Sequence, residues 1–415
     1  MSASVNFSSW VAGWTALAFV VGYGVLVVWS VVATGRARNQ LGLRILVTGS
    51  RGKSGTVRLL HAVMSAWQPT YAKITGTEAR EIFPDGREVE TVRIGSVSAS
   101  EMPLAIRRAA KSGAWAGVFE CMAISPNLIR TLQESHVHAK YVVIPSVRLD
   151  HLEEEGLSEF EIGKNIIDSI DGCEAIITGV DQPDLLRYFQ AYCTEHSIDL
   201  EVVHADRNTP EFPGHHPTNV AVALAVANRL GIDRKLALQG LERVSVEPRA
   251  LEFMRVTLGD GFQMDLIDLG GANDPQSAWE AIRRAGFDHS PVVPVLVNRW
   301  ERPLRSVSFF AGFEGSAPFV LVAGTLTRWL GSRRKKSAYV GYTSAQPSQY
   351  FSLTLKMATD VEVLASELKA RFEVPGQRVV LVLLENTHEA TVDVMRQAFV
   401  DRGQTLTIGK AVIGQ

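Results

Sequence analysis

The stretch Ile45-Leu46-Val47-Thr48-Gly49-Ser50-Arg51-Gly52-Lys53-Ser54-Gly55-Thr56 reads as a short apolar strand, a glycine-rich turn and the opening of a helix carried on to Ser65. That order of elements binds phosphates. Glycines let backbone N–H groups come close to phosphate oxygens, and the helix N-terminus adds positive potential. Lys53 can reach β/γ-phosphates and Ser54 can ligate Mg²⁺. The strict P-loop spacing asks for Gly five residues before Gly52, where this chain has Val47. The variant here is Thr-Gly-x-x-Gly-Lys-Ser, with its glycine at 49. The nucleotide contacts expected from the loop are Gly49, Ser50, Arg51, Gly52, Lys53, Ser54 and Gly55.

Outward from the loop, the chain alternates strand-like and helix-like runs, the pattern of an α/β fold with a parallel sheet. Strands are expected at 116–119, 140–144 and 175–179, and an Ala/Val-rich helix at 217–230. The character changes between Val244 and Arg255, where Pro248 and Arg249 mark a linker. A second, smaller α/β region follows, with strands at 262–267, 292–297, 318–322 and 379–384. At 415 residues the chain exceeds one typical domain. The expected division is an anchor at 1–35, a P-loop ATP-binding domain at 40–245 and a C-terminal α/β domain at 250–415.

The N-terminus is of another kind. No charged residue occurs from Met1 to Gly35, and Trp10 to Ala33 is apolar and long enough to cross a bilayer as a helix. Trp10, Trp14 and Trp29 lie toward its ends, where aromatic belts sit, and Arg36, Arg38 and Arg44 follow. Positive flanks stay cytoplasmic, so a single-pass protein of the cell membrane with its catalytic bulk in the cytoplasm is expected. A cleaved signal peptide fits less well, because no basic segment precedes the apolar run. The formal charge of −2 gives no sign of a nucleic-acid binder. Three scattered cysteines (Cys121, Cys173, Cys193) form neither a metal-ligand spacing nor a disulfide framework.

Open α/β sheets place ligands at the carboxyl ends of their strands. Glu120 ends one strand, and a carboxylate there beside a P-loop is placed to hold Mg²⁺ through oxygen. Asp150-His151 follows the next strand, and His151 can serve as a metal ligand. Lys164 reads equally well as a surface lysine or a functional one.

These residues resemble a known family. Gly49 to Ser54, then Ile74-Thr-Gly-Thr-Glu-Ala-Arg80, Glu120-Cys-Met-Ala-Ile-Ser-Pro-Asn127 and Asp150-His151, are similar to the ligase subunit of poly-γ-glutamate synthases, which belongs with the Mur-type amide ligases. The resemblance continues through His216-Pro-Thr-Asn219, Gly270-Gly-Ala-Asn-Asp274 with Trp279, Asn298-Arg299 with Arg302 and Arg305, and Asn386-Thr-His388. Ser146 stands where the family often has Asn. The resemblance implies a P-loop Mur-ligase-like central domain, a Rossmann-like second domain and an N-terminal transmembrane helix. It implies ATP and Mg²⁺ as cofactors, with Ser54, Glu120 and His151 as metal ligands and Lys53, Glu120, His151 and Asp274 as catalytic residues. Asn219 should lie near the nucleotide base, and Asp274 near the ribose or the acyl phosphate. Thr75, Thr77, Arg80, Arg299, Arg302 and Arg305 should meet substrate, the last three as carboxylate binders suited by arginine's planar fork.

The implied reaction activates a γ-carboxylate at a glutamate chain end as an acyl phosphate, then joins it to the amine of an incoming glutamate. The implied partners are glutamate, the growing poly-γ-glutamate chain, small membrane subunits of a synthase and export complex, and further copies in a homo-oligomer. A Mur-type ligase for another amino acid or acceptor, and a membrane-anchored ATPase without ligase activity, are the competing readings.

Overall fold

The computed structural model describes residues 6–407 except 77–78, 92–97, 124, 150–155, 213–214, 245–251, 270–273, 288, 299–302, 314–315, 325–349, 372–377 and 385–388. Two compact units emerge: residues 1–147 with 162–245, and residues 148–161 with 246–415.

The first unit is built on eight strands: β1 (Leu43–Val47), β2 (Thr70–Ile74), β3 (Arg80–Ile82), β4 (Glu88–Glu90), β5 (Ala116–Glu120), β6 (Tyr141–Ile144), β7 (Ala175–Thr178) and β8 (Asp199–Val202). Their order across the sheet is β4-β3-β2-β5-β1-β6-β7-β8. From β2 to β8 the pairings are parallel, whereas β2, β3 and β4 pair antiparallel at one edge. Strands β2, β5, β6 and β7 are buried along their whole length, as a sheet covered on both faces requires. Helix α2 (Lys53–Ser65) and the helix Pro217–Arg229 close one face over Ile45, Val47, Val118 and Val143.

The second unit carries β9 (Glu252–Thr257), β10 (Gln263–Asp268), β11 (Val292–Val297), β12 (Val320–Ala323), β13 (Tyr350–Ser352), β14 (Arg378–Leu384) and β15 (Gln404–Thr407), ordered β13-β12-β11-β14-β10-β9-β15. Strands β10 to β14 pair parallel, and β9 runs antiparallel between β10 and β15. The period of two along a strand divides the core. Val379, Leu381 and Leu383 of β14 pack on one side, and Val380, Val382 and Leu384 on the other. Strand β9 falls partly in the segment 244–255 expected to be a linker. The parallel-sheet expectation holds for the centre of each sheet and not for these antiparallel edges.

Helix α1 (Asn6–Gln40) is continuous for 35 residues, and its portion Trp14–Gln40 is long and apolar enough to cross a membrane. From Trp14 to Trp29 every residue is exposed. Beyond Trp29 a stripe at i, i+3, i+4 spacing turns inward, with Thr34 and Ala37 buried. There α1 packs on helix α3 (Glu101–Lys111), so the end of the apolar helix is part of the first unit.

Candidate nucleotide and metal site

Strand β1 lies between β5 and β6, with Val47 opposite both Glu120 and Val143. The loop after β1 therefore rises between the carboxyl ends of its two neighbours. Gly49 and Gly52 have φ of 118° and 76°, a region open to glycine at little cost. Space demands glycine as well. A Cβ at Gly49 would stand 2.9 Å from the Ser146 carbonyl oxygen, and one at Gly52 would stand 2.8 Å from Asn219 Oδ1. Ser146 fixes the loop from β6: its carbonyl accepts from the Ser50 N–H at 3.2 Å, and its hydroxyl donates to the Arg51 carbonyl at 3.3 Å.

Gly52 caps α2 and provides no side-chain acceptor. The first turn of α2, from Lys53 to Gly55, thus presents the N–H groups that a helix leaves without internal partners. Lys53 folds back over the turn, its Nζ donating to the Gly49 carbonyl at 2.6 Å and the Ser50 carbonyl at 3.4 Å. Ser54 Oγ donates to Glu120 Oε1 at 2.9 Å. The other carboxylate oxygen accepts the Thr75 N–H at 2.7 Å. Glu120 is 2 % exposed, and among the described residues no cationic side chain pairs with it.

A buried carboxylate supported by neutral donors alone is costly unless a cation joins it. Its hydroxyl and carboxylate oxygens are the hard donors that a small divalent cation takes. Gly76 keeps the space beside them open, since a Cβ there would come within 3.1 Å of Ser54 Oγ and 4.0 Å of Glu120 Oε1. The residues present therefore fit a divalent cation held by Ser54 and Glu120. Among the described residues no group of three His, Cys, Asp or Glu side chains forms a metal cluster. Cys121, next to Glu120, is buried and its thiol is pushed up by burial; it stays protonated and inert.

The other expected site residues separate. Asn219 is 8 % exposed and stands directly against the Gly52 turn. Thr75 acts through its backbone. Arg80 sits on β3 with Nε 3.5 Å from Glu88, a carboxylate that also takes Arg58 at 3.0 and 2.7 Å. Lys164 pairs with Asp168, just past the end of its helix, and lies beside the Tyr188 ring, with its pKa raised by the Asp168 hydrogen bond. In the second unit, Asp274 caps the helix Pro275–Arg284: Oδ1 accepts from the Ser277 N–H at 2.8 Å and Oδ2 from its hydroxyl at 2.6 Å. Arg305 is 3 % exposed. Its guanidinium donates to the Leu384 carbonyl at 3.2 Å and lies 4.7 Å from the centre of the Phe309 ring. Thr77, Asp150, His151, Gly270 to Asn273, Arg299, Arg302 and Asn386 to His388 lie outside the described residues. Reading residue types missed the loop-fixing role of Ser146, through its carbonyl and its hydroxyl, and the roles of Gly76 and the Thr75 amide, which act through having no side chain and through the backbone.

No protein-family model matches the chain. It is 28 % identical over 304 residues to the capsule biosynthesis protein CapB of Bacillus anthracis, an alignment covering 70 % of this chain and 64 % of that relative. The chain thus spans just under two thirds of that relative's length. To the PGA synthase CapB of Bacillus subtilis (strain 168) it is 25 % identical over 280 residues, 65 % of this chain and 70 % of the relative. Among solved structures it resembles Mycobacterium tuberculosis folylpolyglutamate synthase complexed with ADP, with a TM-score of 0.57 at 16 % identity, covering 90 % of this chain and 95 % of that one. It also resembles Acinetobacter baumannii MurF, with a TM-score of 0.55 at 16 % identity over 89 % and 79 % of the two chains. These likenesses establish the fold. The chain is similar in sequence to these CapB proteins and has the fold shared by the folylpolyglutamate synthases and MurF.

Proposed function

We propose that this chain is an ATP-dependent amide ligase of poly-γ-glutamate synthesis, anchored in the cell membrane by α1 with both units on the cytoplasmic side. The observation that carries the reading is the buried Glu120 carboxylate, hydrogen-bonded to Ser54 and Thr75, at the mouth of an uncapped glycine-rich turn. The CapB relatives supply the substrate class, and the Mur-type fold agrees with it.

The backbone amides from Gly52 to Gly55 cradle the phosphates of ATP, and Lys53 turns from its carbonyl partners toward the β/γ oxygens. Ser54 and Glu120 would hold Mg²⁺ and His151 would serve a second metal ion; when bound, the metal would neutralise the charge that grows on the transferring phosphoryl group. A γ-carboxylate oxygen attacks the γ-phosphorus, the bond to the β-phosphate oxygen breaks, and ADP leaves. The glutamate amine then attacks the acyl carbon, loses a proton, and expels phosphate. Positioning and fixed dipoles do most of this work. Asp274 and Arg299, Arg302 and Arg305 belong to the reading as nucleotide and carboxylate contacts, and small membrane subunits and a homo-oligomer as partners.

The test incubates the full chain with ATP, Mg²⁺ and one amino acid at a time, and follows products by mass spectrometry. One amide bond per ADP, formed with glutamate alone, is the expected result. Amide formation with a different amino acid would move the chain to a related ligase. ATP hydrolysis with no amide under any amino acid would leave an anchored ATPase.

A further inference from the structure

The junction between α1 and the first unit carries more charge than an anchor requires. Arg107 of α3 reaches across to α1, where its guanidinium donates to the Ser30 carbonyl at 3.4 Å, the Ser30 hydroxyl at 3.1 Å and the Thr34 hydroxyl at 2.9 Å. Its Cζ also lies 5.7 Å from the Trp29 ring centre, and Trp29 is 62 % exposed. Arg36 follows Trp29 by seven residues, two helical turns, so both occupy one flank of α1; Arg36 is exposed. On the other flank Arg38 donates to the Ser135 and His136 carbonyls, and Arg44 to those of Val137 and His138.

These acceptors are all carbonyls or hydroxyls. None of Arg36, Arg38, Arg44 and Arg107 forms an ion pair among the described residues. The uncompensated field registers on its neighbours. Arg44 is lowered by burial and then by Arg38, and His138 by burial and then by Arg38, Arg44 and His136.

The height of this group follows from the helix. The apolar run from Trp10 to Ala33 covers the ~20 residues that a hydrocarbon core of about 30 Å demands, so Trp29 and Arg36 bracket its cytoplasmic end, where interfacial tryptophans sit. The Arg107 guanidinium, held between Ser30 and Thr34, then lies at the level of the phosphates.

We infer that Trp29, Arg36 and Arg107 form a seat for the phosphodiester headgroup of an anionic phospholipid of the cytoplasmic leaflet. The seat joins α1 to a helix some seventy residues away in sequence, so only the folded unit creates it. The inference rests on α1 spanning the membrane as proposed above.

The test places the full chain in nanodiscs of equal phosphatidylcholine and phosphatidylglycerol and identifies co-ejected lipids by native mass spectrometry. Failure to enter nanodiscs would overturn the spanning reading itself. With insertion secured, phosphatidylglycerol should be retained about tenfold over phosphatidylcholine. Arg36→Gln and Arg107→Gln should each cut that enrichment about fivefold. Arg107→Lys, which keeps the charge and gives up the clasp, should keep most of it. Equal retention of the two lipids by the unaltered chain, or an undiminished preference in Arg36→Gln, overturns the proposal even where Arg107→Gln does not fold.

Discussion

Each unit buries a carboxylate and opens a helix at the carboxyl side of its sheet, and the two treat these features in opposite ways. In the second unit Asp265 is fully buried, yet Arg255 binds it at 2.7 and 3.0 Å and Arg378 at 2.7 Å. The helix at Pro275 is capped by Asp274. In the first unit Glu120 is nearly as buried and has only a hydroxyl and an amide, while α2 begins at a glycine with no side-chain cap. Asp265 is compensated within its own unit, as Glu81 of the first unit is by Lys73 and Arg108, and Asp274 is used up in capping its helix. Glu120 differs: it is a negative site lacking a cation, set beside a helix end lacking a cap. That complementary deficit is what a metal–phosphate ligand would fill, and it singles out the first unit where fold alone does not.

The largest expected effect tests that deficit. Lys53→Ala and Glu120→Gln should each lower ATP turnover by about three orders of magnitude, and Glu120→Gln should also raise the Mg²⁺ concentration needed for half-maximal rate. Both variants should keep the unaltered melting temperature within a few degrees. Chelation by EDTA should stop turnover and Mg²⁺ restore it. Wild-type metal dependence in Glu120→Gln would reduce the contrast between the two carboxylates to packing.

Asp265→Asn gives the reciprocal case. It leaves two arginines facing a neutral amide, and breaking a buried pair costs about 3 to 5 kcal/mol. The arginine side chains are 30 % and 37 % exposed, so solvent screening brings the expected loss to roughly 2 kcal/mol. Chemical denaturation should show it, with Mg²⁺ dependence unchanged. A shift in metal dependence would mean that the second unit's carboxylate is not a self-contained brace.

The units should also part company in acid. In the first unit His61 is buried against the Thr70 carbonyl, and burial lowers its pKa from 6.5 to about 4. The folded state holds the ring neutral, whereas the unfolded chain binds a proton below 6.5. The stability from this group is complete above pH 6.5, falls as pH drops toward 4, and levels off beneath. The loss is on the order of 3 kcal/mol. His61→Gln should flatten the stability profile in that window. An unchanged slope in the variant would assign the acid sensitivity elsewhere.

Much of this contrast was legible in the residues. The glycine-rich turn, Lys53-Ser54 and Glu120 at a strand end follow from residue type and spacing, and the expected strand 292–297 matches β11 residue for residue. Three-residue β3 and β4 gave no signal, because Glu88-Val-Glu90 is too short and polar to show a period. Strand β9 was hidden by the prolines and charges around it. The Ser146 carbonyl and the Thr75 amide were invisible for a different reason: a backbone group has no residue type. Asp274 shows the converse, since a carboxylate at the start of a helix after a glycine pair looks the same in sequence whether it meets a ligand or caps the helix.

Asp274→Ala separates those two roles and carries the smallest expected effect. Both carboxylate oxygens are engaged by Ser277, so removing them deprives the first turn of its cap and its favourable dipole partner, at a cost of about 1 kcal/mol. Asp274→Asn should recover most of that loss, because asparagine caps helices nearly as well. If Asp274 only caps, both variants turn over ATP within a few-fold of the unaltered chain, and the alanine variant alone melts lower. If it also meets the ribose or orients the acyl phosphate, as the family resemblance implies, Asp274→Asn keeps its stability and loses turnover by ten- to a hundredfold. A stable but inactive asparagine variant would therefore place a reacting-site carboxylate in the second unit, and the self-sufficiency ascribed to that unit would end at this residue.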